Sequence, residues 1–130
     1  MQVEPQFSKL RKYNLIMGAF HLIQAALILA LSNDYSQPVR NSFLHYMSDT
    51  NTLKAITEDI VDLRIGPLVA LFLLMSAIAH FVVASPWVFG WYVRNLRRGI
   101  NYARWYEYAF SASLMIVLIA MLSGVYDVAA

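Results

Sequence analysis

From Arg104 to Leu122 the chain is almost unbrokenly apolar. At ~1.5 Å per helical residue this run matches the ~30 Å hydrocarbon core of a bilayer. Within the first turn of this run stands a carboxylate, Glu107. An ionisable group at mid-depth costs ~2.5–3.5 kcal/mol or more, so on a membrane helix it usually marks a function. Glu107 and Ser111 lie four apart on one helical face, and Leu114, Met115 and Leu118 continue that side. This side reads as the wall of an enclosed site. The blander reading sets Glu107 near the headgroups, paired with Arg104 three residues earlier.

Two more runs have spanning length. The first, 13–31, follows a polar lead from Met1 to Lys12 that carries Lys9, Arg11 and Lys12 against Glu4. It is longer than a ~7–15-residue signal-peptide core and is interrupted by His21 and Gln24. Asn14, Gly18, His21 and Gln24 fall at helical steps of four, three and three. One face is therefore polar while the others meet lipid. Gly18 on that face allows a neighbouring helix to approach closely. The second run, 67–84, opens on Gly66-Pro67 and stacks Ser76 and His80 on one face. The third is expected over about 100–125, with Gly124, Tyr126 and Asp127 closing it.

The sequence is 59% hydrophobic and 14% charged, outside the range of a soluble domain. It therefore reads as an all-α membrane protein in one domain. Without cysteine there is neither a disulfide framework nor a cysteine-based zinc module. The basic residues are too few and scattered to form a nucleic-acid surface.

The long connection 32–66 is too apolar for a tether, with Phe43, Leu44, Tyr46 and Met47. Its second half is ambiguous: Leu53, Ile56, Ile60 and Leu63 keep helical spacing, with Thr52 as a possible cap. The connection 85–99 is expected as a loop, in which Trp87, Trp91 and Tyr92 precede Arg94, Arg97 and Arg98 like an interfacial aromatic belt. Basic flanks put the N-terminal lead and 85–99 in the cytoplasm, leaving 32–66 and the end of the chain outside. From those ends, helix rise sets His21 ~12 Å, His80 ~6 Å and Glu107 ~10 Å deep. Two imidazoles and a carboxylate at similar depth, with Gln24 and Ser76 nearby, suit a water-linked proton network.

The sequence Arg104-Trp105-x-Glu107-Tyr108, then Ser111-x-Ser113 and Met115 to Ala120, resembles the third transmembrane helix of heliorhodopsins. Phe20-His21-Leu22-Ile23-Gln24 and Leu74-x-Ser76-Ala77-x-x-His80-Phe81 resemble the first two. The resemblance implies helices A–C of a seven-helix, retinal-binding photoreceptor with an inverted topology, and a small β-hairpin in the A–B loop. It implies that Glu107 is the counterion of the protonated retinal Schiff base, and that His21 and His80 store a proton on its inner side. Tyr108, Ser76, Ser111 and Met115 match or adjoin pocket positions. It also implies a homodimer for the complete protein.

One departure bears on all of this. The family attaches retinal to a lysine on its seventh helix, whereas Lys9, Lys12 and Lys54 all lie outside the spans here. The expectation is a fragment or truncated form, with the C-terminal helices missing and no Schiff base formed by this chain alone. Two other classes compete: a small haem- or quinone-binding membrane subunit with His21 and His80 as ligands, and a non-catalytic membrane scaffold. No enzyme is expected, because no nucleophile–base pair lies within a span. The outer half of each span offers few ionisable groups, so no ion-pumping relay is visible.

Overall fold

The computed structural model describes residues 5–130. The elements in order are α1 (Pro5–Leu31), β1 (Ser36–Met47), β2 (Thr52–Arg64), α2 (Ile65–Ala84), α3 (Pro86–Arg97) and α4 (Tyr102–Leu122). Among the described residues three helices are long and apolar enough to cross a membrane: Gln6–Leu31, Ile65–Ala84 and Tyr102–Leu122. Only 17–22% of their most apolar stretches is buried, so most of each surface is left for lipid or further helices. The central element is α2, which packs against both α1 and α4.

Several boundaries differ from those expected. The polar lead is already helical from Pro5, since Phe7 and Leu10 give it an apolar side that packs on Val83, Phe89, Tyr92 and Val93. The expectations for Met1 and Glu4 lie outside the described residues. At the same end the Arg11 Nε donates to the Ala84 carbonyl at 2.8 Å, tying α1 to the last turn of α2. The third span ends at Leu122 rather than 125, and Gly124 takes a left-handed φ of 88° beyond it.

The connection 85–99, expected as a loop, is mostly helix. Ser85 caps α3 by accepting from the Val88 backbone N–H at 3.4 Å, with Pro86 in the first turn where its missing N–H costs nothing. Phe89, Tyr92 and Val93 bury one face of this short helix. Trp87, Trp91, Arg94 and Arg98 share the opposite face, all of them exposed.

The fold is also not wholly helical. The connection 32–66 contains a two-stranded antiparallel sheet, and the helical spacing of Leu53, Ile56, Ile60 and Leu63 does not prevail. Thr52, Ile56, Thr57, Ile60 and Val61 are β-branched, which favours a pleated strand. Asn51 closes the turn with φ 52°, a conformation its short polar side chain tolerates. Arg40 pairs with Asp59 at 2.8 Å next to a bulge at Val39/Arg40.

At the bulge the end of the chain docks. The Arg40 N–H donates to the Tyr126 carbonyl and the Val128 N–H to the Arg40 carbonyl, at 2.8 and 2.9 Å, forming a short parallel bridge. The base of the hairpin meets the helices where Gly66 approaches Ser32. A Cβ on Gly66 would lie 2.5 Å from the Ser32 Cβ, so the approach requires glycine.

Candidate functional site

The site lies in the trough between α1 and α4, with α2 as its floor. The seam between α1 and α2 is narrow because Gly18 faces the Phe81 ring, where a Cβ would come within 3.0 Å. That close approach brings the polar face of α1 against His80. The His21 and His80 rings lie 5.6 Å apart, inclined by only 17°.

Hydrogen bonding fixes how both rings present themselves. The buried Asn14 amide donates through Nδ2 to the Leu10 carbonyl at 3.0 Å, leaving its oxygen to face His80 Nδ1 at 2.8 Å. An amide oxygen only accepts, so Nδ1 of His80 carries the proton. In the same way His21 Nδ1 donates to Gln24 Oε1 at 3.0 Å. Both imidazoles therefore keep Nε2 free of these bonds, as an acceptor when neutral.

One turn from His80 on the same face of α2, the Ser76 hydroxyl donates to Glu107 Oε1 at 2.8 Å. Arg104 does not pair with Glu107. Its guanidinium donates to the Tyr108 hydroxyl at 2.7 Å and lies 4.7 Å from the centre of that ring. No cation lies within ion-pair distance of Glu107 among the described residues. The Asn101 side chain caps α4 by accepting from the Arg104 N–H at 3.1 Å, which sets where Glu107 enters the trough.

Seven of the eight residues singled out from the sequence border one cavity of about 690 Å³: His21, Ser76, His80, Glu107, Tyr108, Ser111 and Met115. Gln24 stands behind His21 and holds it, without lining the cavity. Ser111 is buried, while Tyr108 and Met115 are exposed along part of their surface. Asn14 is the residue that sequence reasoning passed over. Its place on the polar face with Gly18 and His21 was visible, but its partner on another helix was not. The cavity joins apolar walls to one carboxylate, a pair of imidazoles, the Arg104 guanidinium and several amides and hydroxyls. Such a lining suits an apolar ligand with a positive end, and the imidazoles can take up or release a proton.

The close Gly18–Phe81 seam also bears on the haem alternative. Where α1 and α2 touch beside the two histidines, no slot remains for a porphyrin plane between the rings.

Compared with known proteins, the chain matches the heliorhodopsin family model over residues 10–130. A search of curated proteins gives no match.

Proposed function

This chain belongs to the heliorhodopsin family, and we propose that it forms helices A–C of a retinal-binding, light-sensing membrane protein, with Glu107 as counterion. Its three apolar helices make it an integral membrane protein. The observation that carries the proposal is the state of Glu107: a half-buried carboxylate held by Ser76, with no cation within ion-pair distance among the described residues although Arg104 lines the same cavity. Such a group is stabilised by a positive ligand, and the apolar walls accept a long hydrocarbon body.

Bound retinal would supply light absorption and a positive charge at its attached end. The chain's own residues do the rest. Glu107 balances that charge, and Ser76 fixes the carboxylate's position. Tyr108, Ser111 and Met115 shape the wall. The His21–His80 pair, with ring centres 5.6 Å apart, supplies the imidazoles that would store a proton. The lysine for covalent attachment is none of Lys9, Lys12 or Lys54, which do not line the cavity, so it would come from a segment beyond these residues. The polar cluster faces the cytoplasm in this reading, with Met1 inside and the hairpin outside. Leu44, Tyr46 and Leu53 are exposed on one face of the hairpin and offer a surface to a second protomer.

The test is to co-express this chain with the lysine-bearing helices of a family member, add retinal and follow the visible band against pH. Glu107→Gln should shift the band, whereas Arg104→Gln should leave it nearly in place, since Arg104 serves Tyr108. A band that moves with Arg104→Gln and stays fixed with Glu107→Gln would overturn the assignment.

A further inference from the structure

A second groove, of about 380 Å³, runs down the opposite side of the α2–α4 pair and is roofed at one end by α3. Val82, Val88, Trp91, Tyr106 and Phe110 give it an apolar surface. What continues from its mouth is not apolar. On α3 and its C-cap the residues Trp87, Trp91, Arg94 and Arg98 recur at helical spacing and form one stripe, opposite the buried Phe89, Tyr92 and Val93. Trp91 belongs to both, so the cationic stripe leads directly into the groove.

The setting is that of a membrane interface. Trp91 stacks on Tyr102 with ring centres 6.3 Å apart, and Tyr102 meets Trp105 edge-on at 5.3 Å, an aromatic ladder joining α3 to α4. Trp87 is 91% exposed, a position tolerable for indole at the headgroup level. Charge points the same way. The segments 9–12 and 94–104 hold seven of the ten lysines and arginines, whereas six of the eight acids lie in the hairpin connection or the chain's last residues. Neither Arg94 nor Arg98 has an ion-pair partner among the described residues. The Arg94 guanidinium folds back along α3, 3.7 Å from where a Cβ on Gly90 would stand.

We infer that this groove holds an anionic phospholipid, with one acyl chain between α2 and α4 and the phosphate at Arg94 and Arg98. A zwitterionic lipid fills the chain site equally well but gains less from the two guanidinium groups. Arginine presents several donors to phosphate oxygens, and basic residues at a membrane surface favour anionic headgroups about fivefold each. Ala79, Val83, Ala103 and Glu107 border both this groove and the first cavity, but the lipid site rests on Arg94, Arg98 and the groove's apolar wall and does not depend on retinal binding.

The test uses the full chain in phosphatidylcholine nanodiscs, with Trp87→Phe and Trp105→Phe so that Trp91 alone reports. Phosphatidylglycerol with brominated chains should quench Trp91 at a mole fraction several-fold lower than brominated phosphatidylcholine. Arg94→Gln with Arg98→Gln, both changes at exposed positions, should bring the two lipids to parity. Val82→Phe, which fills the groove from an exposed position and keeps both arginines, should weaken quenching by phosphatidylglycerol. Three results would each overturn the site: equal quenching by the two lipids in the parent, a preference that survives loss of both arginines, or a preference that Val82→Phe leaves intact. The last would mean attraction of headgroups to a charged surface, with no chain bound in the groove.

Discussion

The seam between α1 and α2 can be tested by enlarging Gly18. A Cβ there would stand 3.0–3.1 Å from three atoms of the Phe81 ring. Carbon pairs settle near 3.5–4.0 Å, so for Gly18→Ala the ring must retreat by roughly 0.5 Å. Phe81 is 36% exposed and has room to swing outward. The small steric cost is offset by the ~0.8–1 kcal/mol that alanine gains over glycine within a helix. Gly18→Ala should therefore fall within about 1 kcal/mol of the parent. Leucine instead adds carbons that the seam cannot hold, and overpacking of this kind costs ~1–3 kcal/mol. Relief by Phe81→Ala should recover at least ~1 kcal/mol in a double-mutant cycle, because the two residues touch. Denaturant unfolding of the four variants in detergent measures the cycle. Loss of the hydrogen-bonded His80 Nδ1 proton signal in Gly18→Leu would show that the Asn14 bond parts with the seam. The reasoning fails if Gly18→Leu is as stable as the parent, or if Phe81→Ala is simply additive with it.

Three other outcomes are expected. In intact cells, cysteine at Thr50 should react with an impermeant reagent while cysteine at Ser8 does not, and the reverse pattern would invert the proposed topology. Added retinal should give this chain alone no red-shifted, borohydride-sensitive pigment, and a stable one would show that Lys9, Lys12 or Lys54 can reach the cavity. Asp127 is held below the usual carboxylate range, chiefly by hydrogen bonding with the Ser42 side chain and then with the Ala129 backbone. Because its proton binds less tightly in the docked state, docking of the chain end on β1 is fully favoured above the ordinary aspartate range. It is lost as pH falls through the depressed value. Amide shifts of Arg40 and Val128 followed by NMR should report that loss, and Asp127→Asn should abolish its pH dependence.

The spans and their polar faces were legible because lipid makes hydropathy and helical periodicity decisive. His21, His80 and Glu107 could be placed at ~6–12 Å depth from helix rise alone. Which of them touch was not legible, since the Asn14–His80 bond depends on how α1 leans on α2 at Gly18. The hairpin was ambiguous because Leu53, Ile56, Ile60 and Leu63 satisfy a helical period, while strand pairing with β1 is a long-range fact. The helix α3 carried a readable signal: Phe89, Tyr92, Val93 and Leu96 at steps of three, one and three after a Ser-Pro cap. The tryptophans and arginines on its other face drew attention to the interface instead. Contact of Arg40 with Tyr126 and Val128 joins distant parts of the chain and leaves no local trace.

Ser76 and His80 occupy the same helix, ~6 Å apart along its axis and only ~40° from vertical alignment. The helices that carry their partners, α1 and α4, make at most glancing contact with each other. So α2 works as a shared axle. A turn of that helix by one residue step, 100°, would unseat the hydroxyl from Glu107 and the imidazole from Asn14 together. The carboxylate and the histidine pair therefore cannot be adjusted one at a time by moving α2, and a sequence change that tunes one through backbone rotation retunes the other.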